Sequence, residues 1–273
     1  MEDKNIPIIE HILQLHGVDI SKYEDTFLTN SIQNRMSKIN CHSLEGYINH
    51  IQNNIEESES FINSLQISYT EFFRNTLTFS VLEKIILPSL VTKSVNSNRN
   101  EIRIWSAACA SGQETYSMAM LLQEFSNSKG GQLNFRIFAT DQSETQIQEA
   151  KLGQYSETEL NSLNLKQLGR WFTKQGEIYR IKPELKENID FSVFDLLNET
   201  LSCPPSSIYG NFDLVICANL LFYYQPEYRK KIIEKARHCI SRSGYLITGE
   251  SEREILIQAG FREVYPMSGI FQK

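Results

Sequence analysis

Glu101 to Leu122, EIRIWSAACASGQETYSMAMLL, is the stretch from which the fold is read. Ile102, Ile104 and Trp105 form a short apolar, β-prone run that stops abruptly, the pattern of a buried strand. Ser106 to Gly112 follows as Ser, Ala, Ala, Cys, Ala, Ser and Gly, and Tyr116 to Leu122 then restores helical spacing. Strand, small-residue loop and helix in this order give a ligand close access to backbone at the carboxyl end of a parallel strand. The helix start there presents N–H groups that have no partner within the helix. A dinucleotide fingerprint is excluded, because G-x-G-x-x-G needs glycines where only Gly112 stands, and no Gly-Lys-Ser/Thr follows for a phosphate loop.

FRIFATDQ, Phe135 to Gln142, reads as the next apolar strand, ending in Asp141. In α/β nucleotide sites an acid at the end of the second strand bonds the ribose hydroxyls. The same residue qualifies as N-cap of the helix expected at TQIQEA, and the two roles are compatible.

The 273 residues suffice for one sizeable core and a smaller domain. A net charge of −6 argues against nucleic acid as a partner, which selects basic surfaces. Cys41, Cys109, Cys203, Cys217 and Cys239 show no CxxC spacing, which fits reduced thiols in a cytoplasm better than a disulfide or zinc framework. The five histidines are isolated, so no metal site or His-based catalysis is expected. MEDKNIPIIEHILQLHG lacks a basic leader pattern, and no run approaches the roughly 18 apolar residues of a membrane span.

Before the central stretch, apolar residues recur at helical spacing around Ile8–Leu15, Phe27–Ile39 and Leu44–Ile51, predicting a helical domain over residues 1–65. EESES, Glu56 to Ser60, reads as a polar bridge, and Arg35 and Lys38 as a solvated face. In ISYTEFFRN, Phe72 and Phe73 are expected to anchor to the core; Thr70 and Arg74 share a face if the segment is helical. Val81–Leu90 reads as a helix and VTKSVNSNRN as an exposed linker. After the second strand, NLKQLGRWF suggests a short helix and GEIYRIK a strand of an antiparallel excursion near residues 155–187. IDFSVFDLL, Ile189 to Leu197, returns to the main sheet, and CPPSSIYGN is a loop. FDLVICANLLFYY reads as one buried strand, and Tyr228–Ile240 as a helix stopped by Gly244.

Taken together, RIWSAACASGQETYSMAM, ATDQSETQIQEAKLGQY, ISYTEFFRNTLTF and FDLVICANLLFYY resemble the CheR family. These are chemotaxis methyltransferases that use S-adenosylmethionine to esterify receptor glutamates. The resemblance runs collinearly from about Ile8 to the C-terminus. It implies an α/β, Rossmann-like class I methyltransferase fold over residues 66–273, with an all-helical N-terminal domain and an inserted antiparallel β-subdomain. It also implies a late strand running antiparallel in FREVYPMSGIFQK.

By the same resemblance Ser68, Thr70, Arg74, Glu114, Asp141, Asp195, Leu196, Ala218 and Asn219 hold S-adenosylmethionine or its product S-adenosylhomocysteine. Arg74 and Tyr223 face the transferred methyl. Glu114 takes the charged methionyl end, and Asp195 and Leu196 stand beside the adenine. Ser68, Gln113, Asp195, Ala218 and Glu250 depart from the family's usual Asn, Glu, Asn, Arg and His. The implied partner is the cytoplasmic domain of membrane chemoreceptors, met by a monomer without membrane insertion. Some family members dock a receptor-tail pentapeptide on the β-subdomain; here the Trp171–Arg180 segment is shorter. Two other readings share the cofactor core: a binding module without turnover, and a methyltransferase acting on another substrate.

Overall fold

The computed structural model describes residues 5–66, 69–96, 101–128 and 133–273. They form two compact units, Ser68–Asn219 with Lys230–Lys273, and Met1–Ile67 with Leu220–Arg229.

The strands of the larger unit are β1 (Ile102–Ala107), β2 (Phe135–Asp141), β3 (Gln154–Ser156), β4 (Phe172–Gln175), β5 (Ile178–Ile181), β6 (Ile189–Val193), β7 (Phe212–Ile216), β8 (Ile240–Ile247), β9 (Arg262–Glu263) and β10 (Ile270–Gln272). Seven of them make one sheet in the order β6-β2-β1-β7-β8-β10-β9. The β1–β2, β2–β6, β1–β7 and β7–β8 pairs are parallel, whereas β10 runs antiparallel to both β8 and β9. The chain moves outward from β1 through β2 to β6 and returns to β7 on the other side of β1. The strand order therefore reverses between β1 and β7, and in open α/β sheets the crevice at the carboxyl ends of such strands is where ligands bind.

The core explains why β1 is central. Ile104 and Trp105 are wholly buried, and the Trp105 indole N–H donates to Thr140 Oγ1 at 2.9 Å, satisfying the one polar atom of that ring. The helix Gln113–Ser128 buries Tyr116, Met118, Ala119, Met120 and Leu122 completely, as a helix covered on nearly all sides must. β3, β5 and β4 form a separate antiparallel sheet, with β4 and β5 joined across Gly176 and Glu177, and Gly176 takes φ 63 in that turn.

Several expectations about element boundaries are corrected. The helix expected at Val81–Leu90 begins at Thr76, passes through a π-helical stretch Leu82–Ile86 and continues to Asn96, so it absorbs much of the expected linker. The strand expected over FDLVICANLLFYY ends at Ile216, and Leu221–Tyr223 is a 3-10 turn. Gly244 does not stop a helix. The helix ends at Cys239, and Gly244 lies inside β8, where a Cβ would sit 2.8 Å from the Phe212 carbonyl oxygen.

In the smaller unit the helices are Ile6–His16, Asp25–Lys38, Leu44–Asn53 and Ile55–Ser64. They bury Ile8, Ile12, Leu28, Ile32, Tyr47, Ile51 and Phe61. EESES is no bridge, since it lies in the last of these helices, capped by Asn54, whose side chain accepts from the Glu57 N–H. Glu57 is buried and takes a two-point ion pair from Arg35 at 3.0 and 2.5 Å and a hydrogen bond from Tyr47 at 2.9 Å. Arg35 therefore belongs to a packed network and not to a solvated face, while Lys38 is exposed. Burial opposes ionisation of Glu57, but the Arg35 and Tyr47 hydrogen bonds outweigh it and hold the carboxyl below its ordinary range.

The segment 220–229 is grouped with these helices although it comes late in the chain. The Glu24 N–H donates to the Tyr223 carbonyl at 2.9 Å, the Gln225 N–H donates to that of Lys22 at 2.9 Å, and Arg229 pairs with Glu24.

Candidate active site

The loop after β1 is strained. Ala108 has φ 61 and Ala110 φ 46, and each left-handed residue with a Cβ costs roughly 1–2 kcal/mol. The fixing contacts come from β2. Asp141, only 6% exposed, accepts from the Ala110 N–H through Oδ2 at 3.0 Å and from the Ser143 N–H through Oδ1 at 2.9 Å, while the Cys109 N–H donates to the Thr140 carbonyl at 2.8 Å. Both carboxylate oxygens keep acceptor capacity beyond these bonds, which is what two ribose hydroxyls require. Burial pushes the Asp141 carboxyl up, against three backbone N–H groups that favour its charged form. The helix N-cap here is Ser143, whose side chain accepts from the Gln146 N–H.

Glu114 sits in the first turn of the helix that follows the loop. Ser106 Oγ donates to Glu114 Oε1 at 3.0 Å, and Thr115 Oγ1 donates to Ser106 Oγ at 3.0 Å, so a short hydroxyl relay orients the acid. Although the residue keeps some accessible surface, burial of its carboxyl pushes it up to about 7. The Ser106 bond and Arg74 oppose that rise, and the negative charge of Glu252 adds to it. Gln113 is an internal brace: it is 3% exposed, accepts from Ser111 Oγ at 2.9 Å and reaches Glu159 at 3.4 Å.

The segment from Tyr69 to Asn75 is not helical, so Thr70 and Arg74 share no helix face. Phe73 takes φ 49, and its N–H donates to Ser117 Oγ at 2.9 Å, while Phe72 is fully buried edge-on against Tyr155 and Phe172. Both phenylalanines thus fasten the segment to the core. Thr70 is half-buried, and Arg74 is exposed with its guanidinium 5.1 Å from the Tyr69 ring centre. Arg74 makes no ion pair among the described residues, and its charge bears on Glu114. Ser68 lies outside the described residues.

At the end of β6, Asp195 Oδ1 accepts from the Leu197 N–H at 2.8 Å, Leu196 is buried, and the Phe194 N–H donates to the Asp141 carbonyl at 2.9 Å. After β7, Ala218 is half-buried and Asn219 takes φ 59. The Asn219 N–H donates to Glu252 Oε2 at 2.7 Å. The residues expected from β1, β2, β6 and β7 therefore all stand at the carboxyl ends of neighbouring parallel strands. Tyr223 belongs to the smaller unit, where its ring packs edge-on against Phe27 at 4.9 Å. The buried aromatic of that trio is Tyr224, and Phe222 is only half-buried. Glu252 carries no strong sequence signal: its side chain accepts from the Gly249 N–H at 2.9 Å, half of a capping box, but glycine has no side chain to return the second bond.

A small-residue loop, a buried acid ending β2 and an acid in the first turn of the helix after the loop thus stand together at the carboxyl ends of β1 and β2. Residues 68–264 match the CheR methyltransferase SAM-binding domain, and residues 7–65 match the CheR methyltransferase all-alpha domain. The chain belongs to the CheR methyltransferase family. A chemotaxis protein methyltransferase of Listeria innocua is 30% identical over 87% of this chain and 85% of its own length. Chemotaxis protein methyltransferase 1 of Pseudomonas aeruginosa is 34% identical over 71% of this chain and 69% of its own. An uncharacterized 104.1 kDa protein of Rhodobacter capsulatus is 32% identical over 97% of this chain, which spans 27% of that relative's length. The cofactor of this CheR domain is S-adenosylmethionine. No helix among the described residues is long and apolar enough to cross a membrane.

Proposed function

We propose that this chain transfers a methyl group from S-adenosylmethionine to glutamate side chains on the cytoplasmic domain of chemoreceptors, acting as a monomer in the cytoplasm. The observation that carries the reading is the pair Glu114 and Asp141, set on either side of the strained loop after β1 in a chain of this family. Asp141 holds the ribose, Glu114 the ammonium of the methionyl end, and Asp195, Leu196, Ala218 and Asn219 line the side of the adenine and methionyl chain. Thr70 and, by the family pattern, Ser68 are assigned to the same cofactor.

The bound cofactor supplies an electrophilic methyl group on a sulfonium. A glutamate carboxylate, with a reference pKa near 4.3, is already nucleophilic at neutral pH, so this chain's residues need not remove a proton. Their task is alignment of the attacking oxygen and exclusion of water. Arg74 is suited to alignment, because a guanidinium holds a carboxylate by two parallel N–H···O bonds. Tyr223 is assigned to the methyl by the family pattern, where an aromatic face near a sulfonium adds about 0.5–2 kcal/mol of attraction. The helical unit is the surface assigned to the receptor.

The test is transfer of tritium from labelled S-adenosylmethionine to receptor-containing membranes, followed by base treatment. Label released as methanol identifies a carboxyl methyl ester. Absence of transfer, or label stable to base, rejects the reading.

A further inference from the structure

We propose that Glu252 is a positioning residue of the cofactor pocket, one buried carboxylate that fixes Asn219 at the end of β7 and stands as a second acid beside Glu114. The inference deepens the functional reading above and rests on Glu114 receiving the cofactor's ammonium.

Glu252 has no exposed surface. A carboxylate in that position needs compensating donors, and three converge on a single oxygen, Oε2. They are the Asn219 N–H at 2.7 Å, Thr248 Oγ1 at 2.8 Å and the Gly249 N–H at 2.9 Å. One side chain thereby ties the end of β7 to the end of β8, and its bond from Asn219 holds a residue whose backbone is left-handed. The fit is close on the other side as well. A Cβ at Gly249 would lie 2.4 Å from Asn219 Nδ2 and 2.9 Å from Glu252 Oε2, so Gly249 is required for the Asn219 side chain to pack there.

The same carboxylate acts on Glu114 through space. The groups that bear on Glu114 are Ser106 by hydrogen bond, Glu252 by repulsion and Arg74 by attraction. Ser106, which bonds Glu114, pairs with Ile216 across β1 and β7, so Glu114 and the Asn219 held by Glu252 lie at the ends of adjacent strands. The Cys217 thiol beside them is pushed up by burial first and then by Glu252 and Glu114. The Cys109 thiol, pushed up by burial, Asp141 and Glu114, is a neutral neighbour. With the pocket empty, Glu252 keeps Glu114 protonated to higher pH than it otherwise would be. An ammonium bound at Glu114 favours the ionised form, so binding releases a proton below about 7.

The experiment is calorimetric affinity for S-adenosylhomocysteine from roughly pH 5.5 to 8.5 on the whole chain, as wild type, Glu252→Gln and Thr248→Val. Wild type is expected to gain up to about tenfold in affinity per pH unit and to level off near the Glu114 midpoint. Glu252→Gln keeps an acceptor but removes the charge, so the break moves to lower pH and affinity near pH 6 falls less, by about threefold or more. Thr248→Val loosens the clamp without removing charge, and leaves the break where it was. A break unmoved in Glu252→Gln, or moved equally in Thr248→Val, overturns the inference. No binding to wild type at any pH overturns the functional reading instead. Should Glu252→Gln fail to fold, amide exchange of wild type decides: Asn219 and Gly249 N–H groups are expected to be strongly protected, and rapid exchange of either removes Glu252 from this role.

Discussion

Replacing Asp141 by Asn separates loop clamping from ribose binding. The Asn side chain offers one oxygen where Asp141 uses two, so it can answer either the Ala110 N–H or the Ser143 N–H and must turn its NH2 toward the other. A hydrogen bond to a charged group is worth about 1.5–3 kcal/mol, and the N–H left opposite an amide donor is desolvated without a partner. Loss of the Ala110 bond also releases a left-handed residue that costs roughly 1–2 kcal/mol to hold. The expected destabilisation is therefore about 2–3 kcal/mol, measured by denaturant unfolding without ligand. Affinity for S-adenosylhomocysteine, measured by calorimetry well below the melting transition, should fall at least tenfold, about 1.4 kcal/mol, because the ribose loses an acceptor from a folded site. Reduced stability with unchanged affinity would leave Asp141 as a clamp alone. Unchanged stability would refute the hydrogen-bond reasoning.

Glu114 keeps its proton to about 7 in the folded, ligand-free chain against an ordinary value of 4.5, so the folded state binds more protons than the unfolded state in that interval. Stability should then fall as pH rises through it, and melting curves of Glu114→Gln should show a smaller slope over the same range. Arg74→Lys should keep the melting temperature and the S-adenosylhomocysteine affinity yet slow methylation at least tenfold, about 1.4 kcal/mol of barrier, since lysine cannot make the two-point contact. A near-native rate in that variant would remove Arg74 from the reaction, and a collapse in affinity would reassign it to the cofactor. Because β4 and β5 meet in a tight turn at Gly176 and Glu177, methylation should depend little on the receptor's C-terminal pentapeptide. Loss of labelling on a tail-truncated receptor, with the intact one labelled, would contradict this.

What was legible in the sequence was what local pattern encodes. The β1 strand, the small-residue loop, the helix after it and the acid ending β2 are contiguous signals, and the structure keeps them in register as Ile102 to Ala107 paired with Phe135 to Thr140. The Arg35–Glu57 pair is not legible in local pattern because it joins two helices, and nothing on either helix face announces a partner 22 residues away. Gly244 is ambiguous in the sequence because glycine suits both helix ends and crowded strand positions; the Phe212 carbonyl beside it distinguishes the two. Phe73 carries no signal for a left-handed backbone, and that one angle decides that Thr70 and Arg74 do not lie along a helix.

Three of the four unfavourable backbone positions around the site, Ala108 being the fourth, are each answered from a neighbouring element. Ala110 is held by the Asp141 carboxylate, Asn219 by the Glu252 carboxylate, and Phe73 by the Ser117 hydroxyl, all through the N–H of the strained residue. Non-glycine residues in this region persist only where the surroundings over-determine them. In each case the acceptor is itself fixed, Asp141 by the Ser143 N–H, Glu252 by Thr248 and Gly249, and Ser117 by donation to the Gln113 carbonyl. The backbone around the proposed site is thus preorganised by acceptors on β2, on the 3-10 turn after β8 and on the central helix, so ordering the loops need not be driven by ligand binding. Such a backbone suits a reaction that needs no base, where the chain contributes the geometry of approach. It also predicts that the departures at Gln113 and Ala218 are tolerated, because Gln113 braces Ser111 and Glu159, and position 218 precedes the clamped Asn219 whatever its side chain.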